Sequence, residues 1–139
     1  MVRIKKLDHI VIRAKDAERL VEFYCAVLGC TVERKLSPNI GLVQLRAGDA
    51  LIDIVSVDSE IGRQGGAGPG TEGRNLDHFC VRLEIFEEKA IREHLAKHHV
   101  VCGKLETRYG AEGEGPSIYI QDPEGNTVEL KGPPYKKGN

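Results

Sequence analysis

The sequence predicts an α+β fold of two tandem βαβββ modules forming a cupped mixed sheet, and three observations carry that expectation. First, Leu7-Asp8-His9-Ile10-Val11-Ile12-Arg13 repeats as Leu76-Asp77-His78-Phe79-Cys80-Val81-Arg82 at a constant offset of 69. Leucine, aspartate, histidine and arginine are identical between the copies, and such self-similarity marks a duplicated structural unit. Second, each copy leads into a segment whose apolar residues recur at helical spacing. Third, three strand-sized segments follow each helical one.

The elements follow in order. Residues 7–13 are apolar or alternating over seven positions and read as a strand. Ala17, Leu20, Val21, Tyr24, Val27 and Leu28 then line one helix face, with Asp16 placed to cap its start and Gly29 placed to end it. Segments 30–36, 40–47 and 50–57 complete the first module, the last two joined by Ala47-Gly48-Asp49. Residues 58–75 are a linker, with glycines at 62, 65, 66, 68, 70 and 73, or a flap over a site. The string Gly68-Pro69-Gly70-Thr71-Glu72-Gly73 matches a dinucleotide fingerprint in letters only, because it leads into a strand rather than opening a helix. In the second module Phe86, Ala90, Ile91 and Leu95 mark a helix face that ends near His98. Strands are expected at 100–105, 116–122 and 126–131, the last pair joined by Asp122-Pro123-Glu124-Gly125-Asn126.

At 139 residues the chain suits one domain, 1–139, with module one at about 5–57 and module two at about 76–132. A net charge of −1, spread along the chain, excludes a basic nucleic-acid surface and an acidic disordered tail. Apolar runs such as 50–57, itself interrupted by Asp53, fall far short of the ~20 residues a membrane span needs. No signal-like stretch opens the sequence, so a cytoplasmic protein without membrane or nucleic-acid partners is expected. Cys25, Cys30, Cys80 and Cys102 show no CxxC spacing; buried reduced thiols are expected rather than disulfides or a cysteine zinc site.

Strand alternation then sorts the polar residues. His9 lies opposite Ile10 and Ile12, Asp53 opposite Ile52 and Ile54, His78 opposite Phe79 and Val81, and Glu129 opposite Val128 and Leu130. The aliphatic faces suit the helices, so His9, Asp53, His78 and Glu129 belong on the concave side, with Gln44, Arg46, Tyr119 and Gln121. The repeat makes His9 equivalent to His78 and Asp53 equivalent to Glu129. A pseudo-twofold would join the two histidine–carboxylate pairs, a donor set for one divalent ion: zinc, nickel, manganese or iron. Hydrogen-bonded strand histidines are the alternative.

The segments LDHIVI with FYCAVLG, LDHFCVRL and SIYIQDPEGNTVELKG resemble the vicinal oxygen chelate superfamily, which holds glyoxalase I, extradiol dioxygenases, and fosfomycin and bleomycin resistance proteins. The resemblance spans roughly 6–132 and is nearest to glyoxalase-domain proteins of the lactoylglutathione lyase type. It implies the glyoxalase/bleomycin resistance/dihydroxybiphenyl dioxygenase fold, His9, His78 and Glu129 as metal ligands, and a homodimer. Asp53 stands where glyoxalase I carries a glutamate, and its side chain is shorter by roughly 1.5 Å.

The expected activity is therefore a metal-dependent lyase or isomerase acting on a small oxygen-chelating substrate such as a thiol conjugate. Glu129 is the first choice of base and Asp53 the second. Arg13, Gln44, Arg46, Arg108 and Tyr119 are candidate substrate contacts, and Arg82 is a further one if it faces the cavity. Three alternatives stand beside it. A fosfomycin-type thiol transferase suits the SIYIQDPEGNTVELKG stretch, but Val11 occupies the place of its threonine. An iron(II) dioxygenase suits three ligands. A metal-free binding protein of the bleomycin-resistance kind suits the fold but not the histidines. His94 and His98, four apart on the second helix, read as a solvated face, and Cys80 as a packed thiol.

Overall fold

The computed structural model describes residues 1–136, so the last three residues of the expected domain lie outside the described residues. The chain divides into two compact units, Met1–Glu72 and the remainder from Gly73. Each unit is one βαβββ module with its own four-stranded mixed sheet.

In the first unit the elements are β1 (His9–Ala14), α1 (Ala17–Ala26), β2 (Thr31–Lys35), β3 (Leu42–Ala47) and β4 (Ala50–Ser56). The sheet order is β1-β4-β3-β2, with β1 parallel to β4 and the other neighbours antiparallel. A parallel neighbour requires a crossover, and α1 begins that connection. Asp16 caps the helix by accepting from the Arg19 backbone N–H at 3.1 Å. Such a cap is worth about 1 kcal/mol. Leu20, Phe23 and Tyr24 are the buried face of α1, and Leu45, Ile52 and Ile54 are buried on the sheet. Gly29, with φ +73, turns the chain after the helix where a Cβ would be strained.

The segment after β4 begins as a folded part of this unit. Residues Gly62–Gly65 form a 3-10 turn, and Ser59 Oγ accepts from the Gly62 N–H at 3.1 Å. Arg13, from β1, then grips this segment. Its guanidinium donates to Gly62 O through Nε and Nη2 at 3.2 and 3.0 Å, to Gly66 O at 2.6 Å and to Ala67 O at 3.0 Å. A Cβ at Gly65 would collide with that guanidinium, so glycine there is a condition of the contact.

The second unit holds β5 (Phe79–Arg82), α2 (Glu88–Lys97), β6 (Glu106–Gly110), β7 (Gly113–Gln121) and β8 (Thr127–Lys131). Its order, β5-β8-β7-β6, repeats the first, again with the outer pair β5 and β8 parallel. Ile118, Ile120, Val128, Leu130 and Leu95 are buried. The α2 helix ends on His99, at φ +60, with Val100 N donating to Leu95 O at 2.8 Å and His99 N to Ala96 O at 3.0 Å. These two bonds form a Schellman cap, with histidine where glycine is usual. Asp122 organises the turn before β8, accepting from the backbone N–H groups of Glu124 and Asn126 at 2.9 Å each.

The strand expected at 100–105 is displaced. The ladder instead runs over Glu106–Gly110, which pairs with 113–117 around a two-residue turn. Val100 and Val101 supplied the apolar signal, yet Val101 is 86% exposed. The true strand is a polar edge strand, and edges are often charged because one side meets water. Among the described residues no helix is long and apolar enough to cross a membrane. All four cysteines are free thiols, but the expected burial holds only for Cys30: Cys25 and Cys102 are half-buried and Cys80 is exposed. Burial pushes Cys30 up to about 11.

Candidate metal centre

In the first unit the register sets Val11 of β1 beside Asp53 of β4, and Asp53 beside Gln44 of β3. Asp53 is only 2% exposed. Its Oδ2 accepts from Gln44 Nε2 at 3.1 Å, and Gln44 Oε1 in turn accepts from Arg34 Nε at 2.8 Å. Its Oδ1 is buried and has no hydrogen-bond partner. A buried carboxylate oxygen without a donor is costly, and a cation is the group that would satisfy it. His9 opens β1, two residues before Val11, and its Nδ1 lies 2.7 Å from Asp8 Oδ1. That bond, and secondly the charge of Asp53, raises His9 above its ordinary value, and Asp8 is lowered by the same bond.

The second unit repeats the arrangement with different supports. Cys80 of β5 and Tyr119 of β7 flank Glu129 of β8 in register. Glu129 is 5% exposed, and its Oε2 accepts from Ser117 Oγ at 2.9 Å. Arg108 Nη1 donates to Ser117 Oγ at 2.9 Å, and its guanidinium carbon lies 4.0 Å from the centroid of the Tyr119 ring. The Tyr119 and His78 rings are 5.1 Å apart. His78 Nδ1 is 2.8 Å from Asp77 Oδ2, and its Nε2 is 3.2 Å from Glu129 Oε1. A neutral imidazole has one N–H for these two carboxylates. If Nδ1 carries it, a lone pair of Nε2 faces a carboxylate oxygen, a pairing that a cation would favour; if Nε2 carries it, Nε2 donates to Glu129.

Both units therefore present one imidazole nitrogen and one carboxylate oxygen, the donors that zinc, nickel, manganese and iron accept. Among the described residues no three His, Cys, Asp or Glu side chains come together within one cluster, so each unit offers a pair rather than a full ligand set. The donors of each pair are of the kind a divalent ion accepts.

The remaining candidates fall in three groups. Gln44 donates to Asp53 and the Tyr119 ring lies against His78, whereas Arg108 reaches them only through Ser117 and the Tyr119 ring. Arg13 donates to the loop carbonyls, and Arg46 pairs with Glu33 of β2 at 2.6 Å, a bond that lowers Glu33. Arg82 bonds Glu112 at 3.0 Å. Gln121 is exposed at the end of β7, and the His94 and His98 rings lie 4.8 Å apart on α2. Cys80 sits on the Glu129 side, where burial of the sulfur first, and the Glu129 charge next, push the thiol up to about 11. That keeps it protonated and unreactive at neutral pH.

Four residues escaped the sequence reading. Asp8 and Asp77 were visible as matched letters of the repeat, although strand alternation would have turned them to the opposite face. Both precede their strands, where the pleat has not begun, and each reaches the next ring. Ser117 lies two residues before Tyr119 and so shares its face by the same alternation that located Tyr119. Arg34 follows a bulge between Val32 and Arg34 that no sequence pattern announces.

Known proteins agree with this architecture. An integron cassette protein from the mobile metagenome of V. Cholerae superposes with a TM-score of 0.74 at 23% identity, covering 95% of this chain and 98% of that one. Lactoylglutathione lyase from Agrobacterium tumefaciens gives 0.66 at 18% identity over 93% and 94% of the two chains. The genomically encoded fosfomycin resistance protein FosX from Listeria monocytogenes gives 0.67 at 20% identity over 94% and 95%. Likenesses at this identity show the fold. No curated protein matches the sequence. The family model for the glyoxalase/bleomycin resistance protein/dioxygenase superfamily matches residues 6–130, nearly the whole chain. The chain, with its duplicated βαβββ unit, belongs to that superfamily.

Proposed function

We propose that this protein is a metal-dependent lyase or isomerase of the glyoxalase type, with His9, Asp53, His78 and Glu129 as its metal-ligating residues. The observation that carries this reading is the duplicated histidine–carboxylate pair, in which one buried carboxylate oxygen has no donor and the other faces an imidazole nitrogen. The bound ion supplies Lewis acidity toward two neighbouring substrate oxygens. The protein's own groups orient the substrate and move its proton. Glu129, which accepts from Ser117 at Oε2, is the first choice of base and Asp53 the second. Gln44 and Tyr119, in contact with the ligands, are the side chains best placed to meet the substrate. The active species is a homodimer in this reading, which light scattering on the purified protein checks.

Elemental analysis of purified protein and of His78→Ala tests the metal. About one divalent ion per chain, largely lost in the variant, is the expected result. No metal even after reloading overturns the reading. Turnover of a methylglyoxal–thiol hemithioacetal by the loaded protein then tests the lyase assignment.

A second reading is favoured by Arg108, which lies over Tyr119 and bonds Ser117 on the Glu129 side of the sheet. A fixed guanidinium there suits an anionic substrate of the fosfomycin kind. Formation of a thiol adduct with fosfomycin would select it over the lyase.

A further inference from the structure

Aspartate precedes histidine at the start of both sheets, and the two pairs have nearly the same geometry: Asp8 Oδ1 to His9 Nδ1 at 2.7 Å, and Asp77 Oδ2 to His78 Nδ1 at 2.8 Å. In a regular strand adjacent side chains point to opposite faces, so neighbours rarely bond in this way. Here each aspartate sits just outside the pleat and folds back onto the ring. The carboxylates are 81% and 97% exposed, and exposed pairs of this kind add little to stability. Their repetition thus calls for another explanation than holding the fold.

The ring supplies one. A carboxylate accepts only, and His78 Nδ1 lies nearer Asp77, at 2.8 Å, than Nε2 lies to Glu129, at 3.2 Å. Nδ1 is therefore the nitrogen better placed to carry the single proton of a neutral imidazole, which leaves the lone pair on Nε2. In the second unit Nε2 is the nitrogen that faces Glu129. We propose that Asp8 and Asp77 are positioning residues that fix His9 and His78 in the tautomer and ring orientation offering Nε2 as the ligand atom. The inference rests on the metal reading above, but its central claim concerns the ring itself and can be judged without metal. Carboxylates that hold a ligating histidine commonly change metal affinity 10- to 100-fold when removed, and exposure places these two near the lower figure. The chain thus writes each ligand and its orienting group as consecutive letters.

The test uses 15N-histidine-labelled full chain in three forms: wild type, Asp77→Ala and Asp77→Asn. In metal-free protein at pH 8, nitrogen shifts of His78 should report a proton on Nδ1 in wild type and a mixture of tautomers in Asp77→Ala. Asp77→Asn keeps an acceptor and should recover much of the Nδ1–H form. Zinc titration by calorimetry should show affinity about tenfold weaker in Asp77→Ala and partly restored in Asp77→Asn. An unchanged His78 tautomer in Asp77→Ala, or zinc affinity within twofold of wild type, overturns the proposal. If wild type binds no zinc, the metal reading falls by itself, and the tautomer spectra alone decide whether Asp77 sets the ring. Asp8→Ala, read at His9, repeats the comparison should Asp77→Ala fail to fold.

Discussion

Replacing Asp53 by asparagine should make the metal-free protein more stable. The wild-type carboxylate is 98% removed from solvent on β4 and has a single donor, Gln44 Nε2 at 3.1 Å, with Oδ1 unpartnered. Leaving a buried charged acceptor unsatisfied costs about 1–3 kcal/mol or more. Asparagine keeps the shape and the bond from Gln44 but removes the charge, leaving one neutral amide group still short of a partner. A gain of about 1–2 kcal/mol remains, which raises the melting temperature by about 3–6 °C for a domain of this size. The assay is calorimetric melting at pH 8 with chelator. Adding zinc or nickel should reverse the order. Wild type gains about 2.7 kcal/mol at a hundredfold excess over its dissociation constant, and the variant gains less. A variant that melts at or below wild type in chelator would refute the reasoning, since Oδ1 would then be satisfied in solution without a cation.

Three further outcomes follow from the same geometry. In the metal-free protein His9 titrates above the ordinary imidazole range, chiefly because of Asp8, and Asp8→Asn should bring it down in an NMR titration. The sign follows from the raised folded value: the stabilisation is complete below the unfolded imidazole value and fades as pH rises through the raised one. His99→Gly should stabilise the chain by about 1 kcal/mol in urea unfolding, because histidine is strained at φ +60 and glycine is not; no change would mean the strain is absent. Gly65→Ala should displace the Arg13 guanidinium and speed proteolysis within 62–67, as should Arg13→Ala. Cleavage at the wild-type rate in both would show that the grip does not hold the loop.

Much of this was legible in the letters because two periodicities do separate work. The 69-residue offset located β1 and β5, and with them His9 and His78. Strand alternation put Gln44 and Tyr119 on the same face as Asp53 and Glu129, and the register then sets Gln44 beside Asp53 and Tyr119 beside Glu129. The polar strand β6 escaped because its signal is not burial but pairing, which depends on a partner distant in sequence. The use of Arg13 escaped for a similar reason: a strand-end arginine is ambiguous until the loop carbonyls that it binds are folded against it. Asp8 and Asp77 escaped because alternation holds only inside a strand, and they stand one and two residues before β1 and β5.

One consequence concerns the number of oxygens each acid can offer. Gln44 donates to Oδ2 of Asp53, and Ser117 donates to Oε2 of Glu129, so in each carboxylate the other oxygen is the less encumbered one. A cation at either carboxylate would meet that oxygen first, in monodentate fashion. Calcium favours six to eight oxygens and often takes a carboxylate in bidentate fashion, which these two could provide only by breaking a buried hydrogen bond. Smaller ions that accept nitrogen and four to six ligands incur no such loss. Denticity, biased by an amide and a hydroxyl beside the two acids, is thus a filter against calcium.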